Sequence, residues 1–145
     1  MSQGHIRPLL DITKALSNLG VKISIITTPS NAPSIIPHIG KHPQIHLVEI
    51  TFPSINGLPE GCENTDQLPS VDFLVPLLNS TRELKQPFQR VLKEMVESHS
   101  HPICVISDFF LGWTVDTCHE FDIPRLVFHG MGALSMAISK SMWRK

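Results

Sequence analysis

Two residue types far apart in the chain could make one catalytic pair. Gly4 and His5 stand at the head of an apolar-periodic segment, and Asp108 ends a short apolar run a hundred residues later. A carboxylate that accepts from one imidazole nitrogen fixes the tautomer and balances the imidazolium. The other ring nitrogen can then take a proton from a hydroxyl. Asp108 also has a more common use, as an N-cap or turn residue ahead of Gly112. The aromatics behind it, Phe109, Phe110 and Trp113, would wall an apolar pocket or simply pack in the core. His129, at the end of another apolar run, is either pocket lining or a strand-end histidine bonded to backbone.

Those groups need elements to carry them. Ile6, Leu9, Leu10, Ile12, Leu16 and Leu19 recur at helical spacing, and Gly20 is a natural stop. Pro8 suits a first turn, which would put His5 at the mouth of the helix, where the positive end of the macrodipole favours a neutral ring. Val21–Thr27 and Ile45–Ile50 read as strands, with a short helical turn over Asn31–Ile36 between them. Phe52 to Pro69 is a long connection rich in proline and glycine, of the kind that is often functional. Val71–Glu97 has helical composition broken by Pro76 and Pro87, so two helices or a kinked pair is expected. Ile103–Ile106, leading into Ser107-Asp108, and Ile123–Phe128 are further strands. Helices over Gly112–Phe121 and Gly130–Met142 follow them. Strands alternating with helices predict an α/β fold with a Rossmann-like parallel sheet, and ligands gather beyond the carboxyl ends of such strands. His5, Asp108 and His129 fall at that edge.

At 145 residues, 41% of them hydrophobic, and with a net charge of −1, the chain suits a single globular domain and carries no electrostatic footprint for nucleic acid. The most basic stretch, Lys140 to Lys145, is too short to change that. The longest near-apolar run, Leu126–Ile138, is too short to span a bilayer. Three cysteines without a CxxC pair, and the lack of a signal pattern, predict a cytoplasmic chain with free thiols. His38, His42 and His46 recur at fours, but Pro37, Gly40 and Pro43 deny them a common helix. No carboxylate or cysteine completes a tetrahedral set, so no metal is expected. Neither G-x-G-x-x-G nor G-x-x-x-x-G-K-[ST] occurs, and a G-x-S-x-G elbow is also missing.

Several stretches together resemble one family. They are Ser2-Gln-Gly-His-Ile-Arg-Pro-Leu-Leu-Asp11 with Leu19-Gly20 behind it, and Val21–Thr28 with Asn31. Next come Phe52-Pro-x-x-x-Gly-Leu-Pro-Glu-Gly61 with Glu63-Asn64, and Ile106-Ser-Asp-Phe-Phe-Leu-Gly-Trp113. Phe128-His-Gly130, entering a helix rich in alanine and serine, is the last. In this order and spacing they look like the opening part of plant glycosyltransferases that use uridine-diphosphate (UDP) sugars.

The resemblance implies that residues 1–145 are a partial N-terminal, acceptor-binding domain of a two-domain GT-B fold. The family's first strand and its whole C-terminal domain, which holds the donor signature, have no counterpart here, and neighbouring sheet edges would be left unpaired. His5 would be the general base and Asp108 its orienting carboxylate. The acceptor oxygen would then displace UDP with inversion, needing no metal or other cofactor. The UDP-sugar, glucose first among candidates, is a co-substrate. Gly4 and Gly130 would lie toward the donor. Phe109, Phe110 and His129 would lie against a small hydroxylated acceptor such as a flavonoid or terpenoid. A monomer is expected, inactive as the bare fragment. The alternative is a non-catalytic module that only binds small apolar metabolites.

Overall fold

The computed structural model describes residues 3–40, 42–54 and 57–143. Met1 and Ser2, Lys41, Ile55 and Asn56 of the proline-rich connection, and Arg144 and Lys145 of the basic terminus lie outside the described residues.

The first helix, α1, runs Gln3–Asn18 and contains Pro8. It starts earlier than the apolar spacing predicts, so Gly4 and His5 belong to its first turn and Pro8 to its second. Apolar periodicity cannot report a turn that is held from outside, and this one is tied to Asp108 through the His5 side chain. Strand β1 (Ile23–Thr27), helix α2 (Ala32–Ile39) and strand β2 (Ile45–Glu49) follow. Ile6 and Leu10 of α1, Ile35 and Ile39 of α2, and Ile45 form one buried cluster, with Ile25 and Leu47 packed against it.

The Val71–Glu97 segment resolves as two helices, α3 (Leu74–Ser80) and α4 (Lys85–Glu97), joined through a 3-10 turn at Thr81–Leu84. Pro76 and Pro87 each fall in the first turn of their helix, where a missing N–H costs no intrahelical bond. Strand β3 (Val105–Asp108), helix α5 (Thr114–Glu120), strand β4 (Arg125–Phe128) and helix α6 (Ala133–Met142) complete the chain. The strand reads two residues later than the apolar run Ile103–Ile106 suggests. Asp108 is thus the last residue of β3, and not one that merely follows it.

A second cluster joins Ile50, Leu84, Phe88, Leu92, Cys118 and Ile123, with Ile26 and Val105 against it. Ile25 and Ile26 therefore point to opposite faces, as period two requires, and helices cover both sides. Burial pushes the Cys118 thiol up, an effect that the nearby Arg125 guanidinium partly offsets.

All observed pairings are parallel, β1 with β2 and β3 with β4, in register from Ile23 opposite Ile45 and from Val105 opposite Arg125. Among the described residues no ladder joins the two pairs, so the α/β sheet is present as two two-stranded pieces with unpaired edges. Helix α6 buries none of its residues, and Leu126 and Val127 of β4 are exposed. No helix among the described residues is long and apolar enough to cross a membrane.

Candidate active site

The site is built where β3 ends. Asp108 is completely buried, and each of its carboxylate oxygens has a partner. Oδ1 accepts from the Phe110 N–H at 2.9 Å, and Oδ2 bonds to His5 Nδ1. The first contact is an Asx-type turn, closed further by the Leu111 N–H donating to the Asp108 carbonyl at 3.0 Å. The turn role and the histidine-orienting role, alternatives in the sequence, are filled by the same side chain. An ionised carboxylate can only accept, so in the neutral ring Nδ1 is the donor and Nε2 keeps its lone pair.

Arg125, the first residue of β4, braces the turn from behind. Its Nη2 donates to the carbonyls of Asp108 and Leu111 at 3.2 and 3.4 Å, and its Nε donates to Ser107 Oγ at 2.8 Å. Apolar patterning does not single out Arg125. The available signal is a lone cation inside Ile123–Phe128, which needs a polar partner if its strand is covered.

His5 is mostly enclosed, its side chain 18% exposed. Phe110 stacks on it with ring centroids 5.8 Å apart, and Phe109 lies 6.1 Å away. His129 stacks on Phe109 at 5.6 Å. Gly130 has φ +63°, and a Cβ placed there would come within 2.9 Å of three His5 ring atoms, Nε2 among them. Only glycine leaves that edge of the imidazole clear. Gly130→Ala is accordingly expected to shift the His5 ring resonances and weaken the bond to Asp108, which proton NMR of the ring would report. Gly4 is exposed next to His5 in the first turn of α1.

A cavity of about 60 Å³ opens beside His5. Phe110, Leu111, Leu77 and Leu78 supply apolar walls, and Glu63 and Thr65 add polar groups. The last two come from the long connection, through a network that the sequence shows only as separate polar residues. Asn64 Nδ2 donates to Asn31 Oδ1 at 2.9 Å, and Asn31 Nδ2 donates to Thr28 Oγ1 at 2.7 Å. The Ser30 N–H donates to Glu63 Oε2 at 3.2 Å. These bonds pin the connection over the carboxyl end of β1. Among the described residues no group of three or more histidine, cysteine or acidic side chains is placed to hold a metal ion.

This arrangement can hold a histidine as a proton acceptor against an apolar cavity. Comparison with known proteins gives it a context. No protein-family profile matches the chain. It is 38% identical over 149 aligned residues to the scopoletin glucosyltransferase of Nicotiana tabacum, covering 98% of this chain and 30% of that enzyme. It is 40% identical over 136 residues to UDP-glycosyltransferase 73C13 of Barbarea vulgaris, covering 90% of this chain and 27% of that one. Among solved structures, Arabidopsis thaliana UGT89C1 complexed with quercetin superposes with a TM-score of 0.87 at 25% identity. That match covers 99% of this chain and 35% of the other. Glycyrrhiza uralensis UGT73P12, complexed with glycyrrhetinic acid 3-O-monoglucuronide, gives a TM-score of 0.80 at 29% identity over 98% of this chain and 29% of that one. The chain thus spans about three-tenths of the length of the curated relatives it matches. Over that span its sequence is similar to plant UDP-glycosyltransferases, and its α/β fold matches the corresponding part of their GT-B architecture.

Proposed function

We propose that this chain forms the acceptor-binding part of an enzyme that transfers a sugar, glucose first among candidates, from a UDP-sugar to a hydroxyl of a small plant metabolite. The observation that carries the reading is the bond between His5 Nδ1 and the fully buried Asp108 carboxylate. In this scheme Nε2 removes the acceptor hydroxyl proton as the oxygen attacks the anomeric carbon. The C–O bond to UDP breaks on the opposite face, and the configuration inverts. Asp108 stabilises the imidazolium that forms and holds the ring in the productive tautomer. Phe109 and Phe110 give an apolar acceptor its contact surface, and His129 supports it from behind Phe109. Gly130 keeps the reacting edge open toward the donor, with Gly4 on the same side. The UDP-sugar is a co-substrate.

Neighbouring proteins support both substrates, since UGT89C1 structures hold quercetin, UDP and UDP-L-rhamnose. The test is a chimera in which this chain replaces its matching segment in the tobacco scopoletin glucosyltransferase, supplied with UDP-glucose and scopoletin. A β-glucoside formed from the α-linked donor is expected. A soluble chimera that binds acceptor without transferring sugar would overturn the proposal in favour of a binding module.

A further inference from the structure

Asp108 serves two partners with one carboxylate, and both depend on how the turn after β3 holds it. Oδ1 accepts from the Phe110 N–H inside the turn, and Oδ2 bonds to His5 Nδ1 outside it. Arg125 closes that turn without forming an ion pair. Among the described residues no carboxylate pairs with its guanidinium, and its three side-chain hydrogen bonds all end on neutral oxygens. Nη2 is shared between the carbonyls of Asp108 and Leu111, the first and last residues of the turn. Nε donates to Ser107 Oγ, one residue before it.

The arm through Ser107 has a direction. Thr114 carries one hydroxyl proton, which goes to the Leu111 carbonyl at 2.6 Å. Its Oγ1 therefore accepts at the 3.0 Å contact with Ser107 Oγ, and Ser107 is the donor. Hydrogen bonds thus run from Arg125 Nε through Ser107 and Thr114 to the same Leu111 carbonyl that Nη2 reaches directly. Ser107 and Thr114 are both buried, so each hydroxyl needs these partners.

We propose that Arg125 is a positioning residue that sets the His5 tautomer through the Asp108 turn, by the shape of its guanidinium and not by its charge. A planar fork meets a hydroxyl and two carbonyls at once. An ammonium is a single nitrogen on a flexible stem and cannot hold that spread. Without the fork, the Asp108 and Leu111 carbonyls keep their bonds from the Leu111 and Thr114 N–H groups, so the turn survives but loosens. Arg125 does not line the cavity beside His5, so its influence falls on the proton transfer and not on acceptor binding.

The consequence for turnover rests on the proposed role of His5 as base, and two readouts keep the claims apart. Nitrogen NMR of the 145-residue chain reads the His5 tautomers with no sugar transfer required. Arg125→Lys and Arg125→Met should each lower the ratio of Nδ1-protonated to Nε2-protonated ring about fivefold, the equivalent of one ordinary hydrogen bond. In the chimera both should lower kcat about tenfold or more at an unchanged KM. Thr114→Val cuts only the indirect arm and should lower the tautomer ratio about twofold, with Thr114→Ser restoring it. A native tautomer ratio in the Arg125 variants overturns the proposal, whatever their stability. Full rescue by Arg125→Lys also overturns it, because charge is then the cause. If the Arg125 variants do not fold, the Thr114 pair decides, and a native ratio in Thr114→Val overturns the proposal. Tautomers that shift as expected, in a native chimera that transfers no sugar, leave the positioning role standing and overturn the base reading alone.

Discussion

Asparagine at position 108 is expected to lower sugar transfer by the chimera about 10³-fold or more while the fold survives. The substitution keeps the shape and the Oδ1 acceptor for the Phe110 N–H. It changes what faces His5. An amide nitrogen donates, so His5 Nδ1 must accept, and the ring proton moves to Nε2. The nitrogen that should take the acceptor proton is then already occupied. A loss of less than tenfold in a chimera with native acceptor affinity would mean that the carboxylate does not set the tautomer.

The second large effect separates chemistry from packing at His5. Alanine there removes the base but also strands a fully buried carboxylate, so two losses are expected together. Turnover falls about 10³-fold, within the range typical for a general base. Stability of the chain falls by about 3 kcal/mol, because a buried charged acceptor is left short of a hydrogen-bond partner. The loss is no larger because the His5 side chain is 18% exposed and some water can reach the gap. Glutamine separates the two, because its amide can still donate to Asp108 but cannot act as a base. His5→Gln should keep most of the unfolding midpoint in denaturant and lose the turnover. Equal stability losses for both variants would show that shape, and not the hydrogen bond, matters at this position.

The parts of the fold that depend on local pattern were legible in the sequence. Apolar periodicity and proline placement locate the helices around Leu10 and Leu92, and the β-branched run at Ile23–Thr27 is a strand. Pro76 and Pro87 mark two helices because each falls where a helix can begin. Boundaries set by distant partners were less legible. The first turn of α1 forms with His5 bonded to a residue 103 positions away in the chain, and β3 continues to Asp108 in register with Phe128. The division of the sheet into two pairs is also a matter of partners. A strand of isoleucines with covered faces reads the same whether one or both of its edges are bonded.

The site divides along the same line. His5 and Asp108 could be named from residue type and position, because a helix start and a strand end are local features. Their pairing was expected from their common place at one sheet edge, and the topology that brings α1 against the end of β3 realises it. Arg125, Glu63 and Thr65 were invisible as a group. Each is an ordinary polar residue until the Asn31–Asn64 bond folds the long connection onto β1 and the guanidinium is seen against the Asp108 carbonyl. Gly130 could be noted as a glycine, but its close approach to the imidazole follows only from the meeting of α1 with the end of β4.

The whole account depends on which ring nitrogen of His5 carries the proton. Heteronuclear NMR of the nitrogen-labelled 145-residue chain, at alkaline pH where imidazole is neutral, reads this directly. The expected spectrum shows Nδ1 protonated and coupled to Asp108, with Nε2 bare, and the pattern reversed in Asp108→Asn. A native chain with its proton on Nε2 would contradict the assignment of His5 as the base.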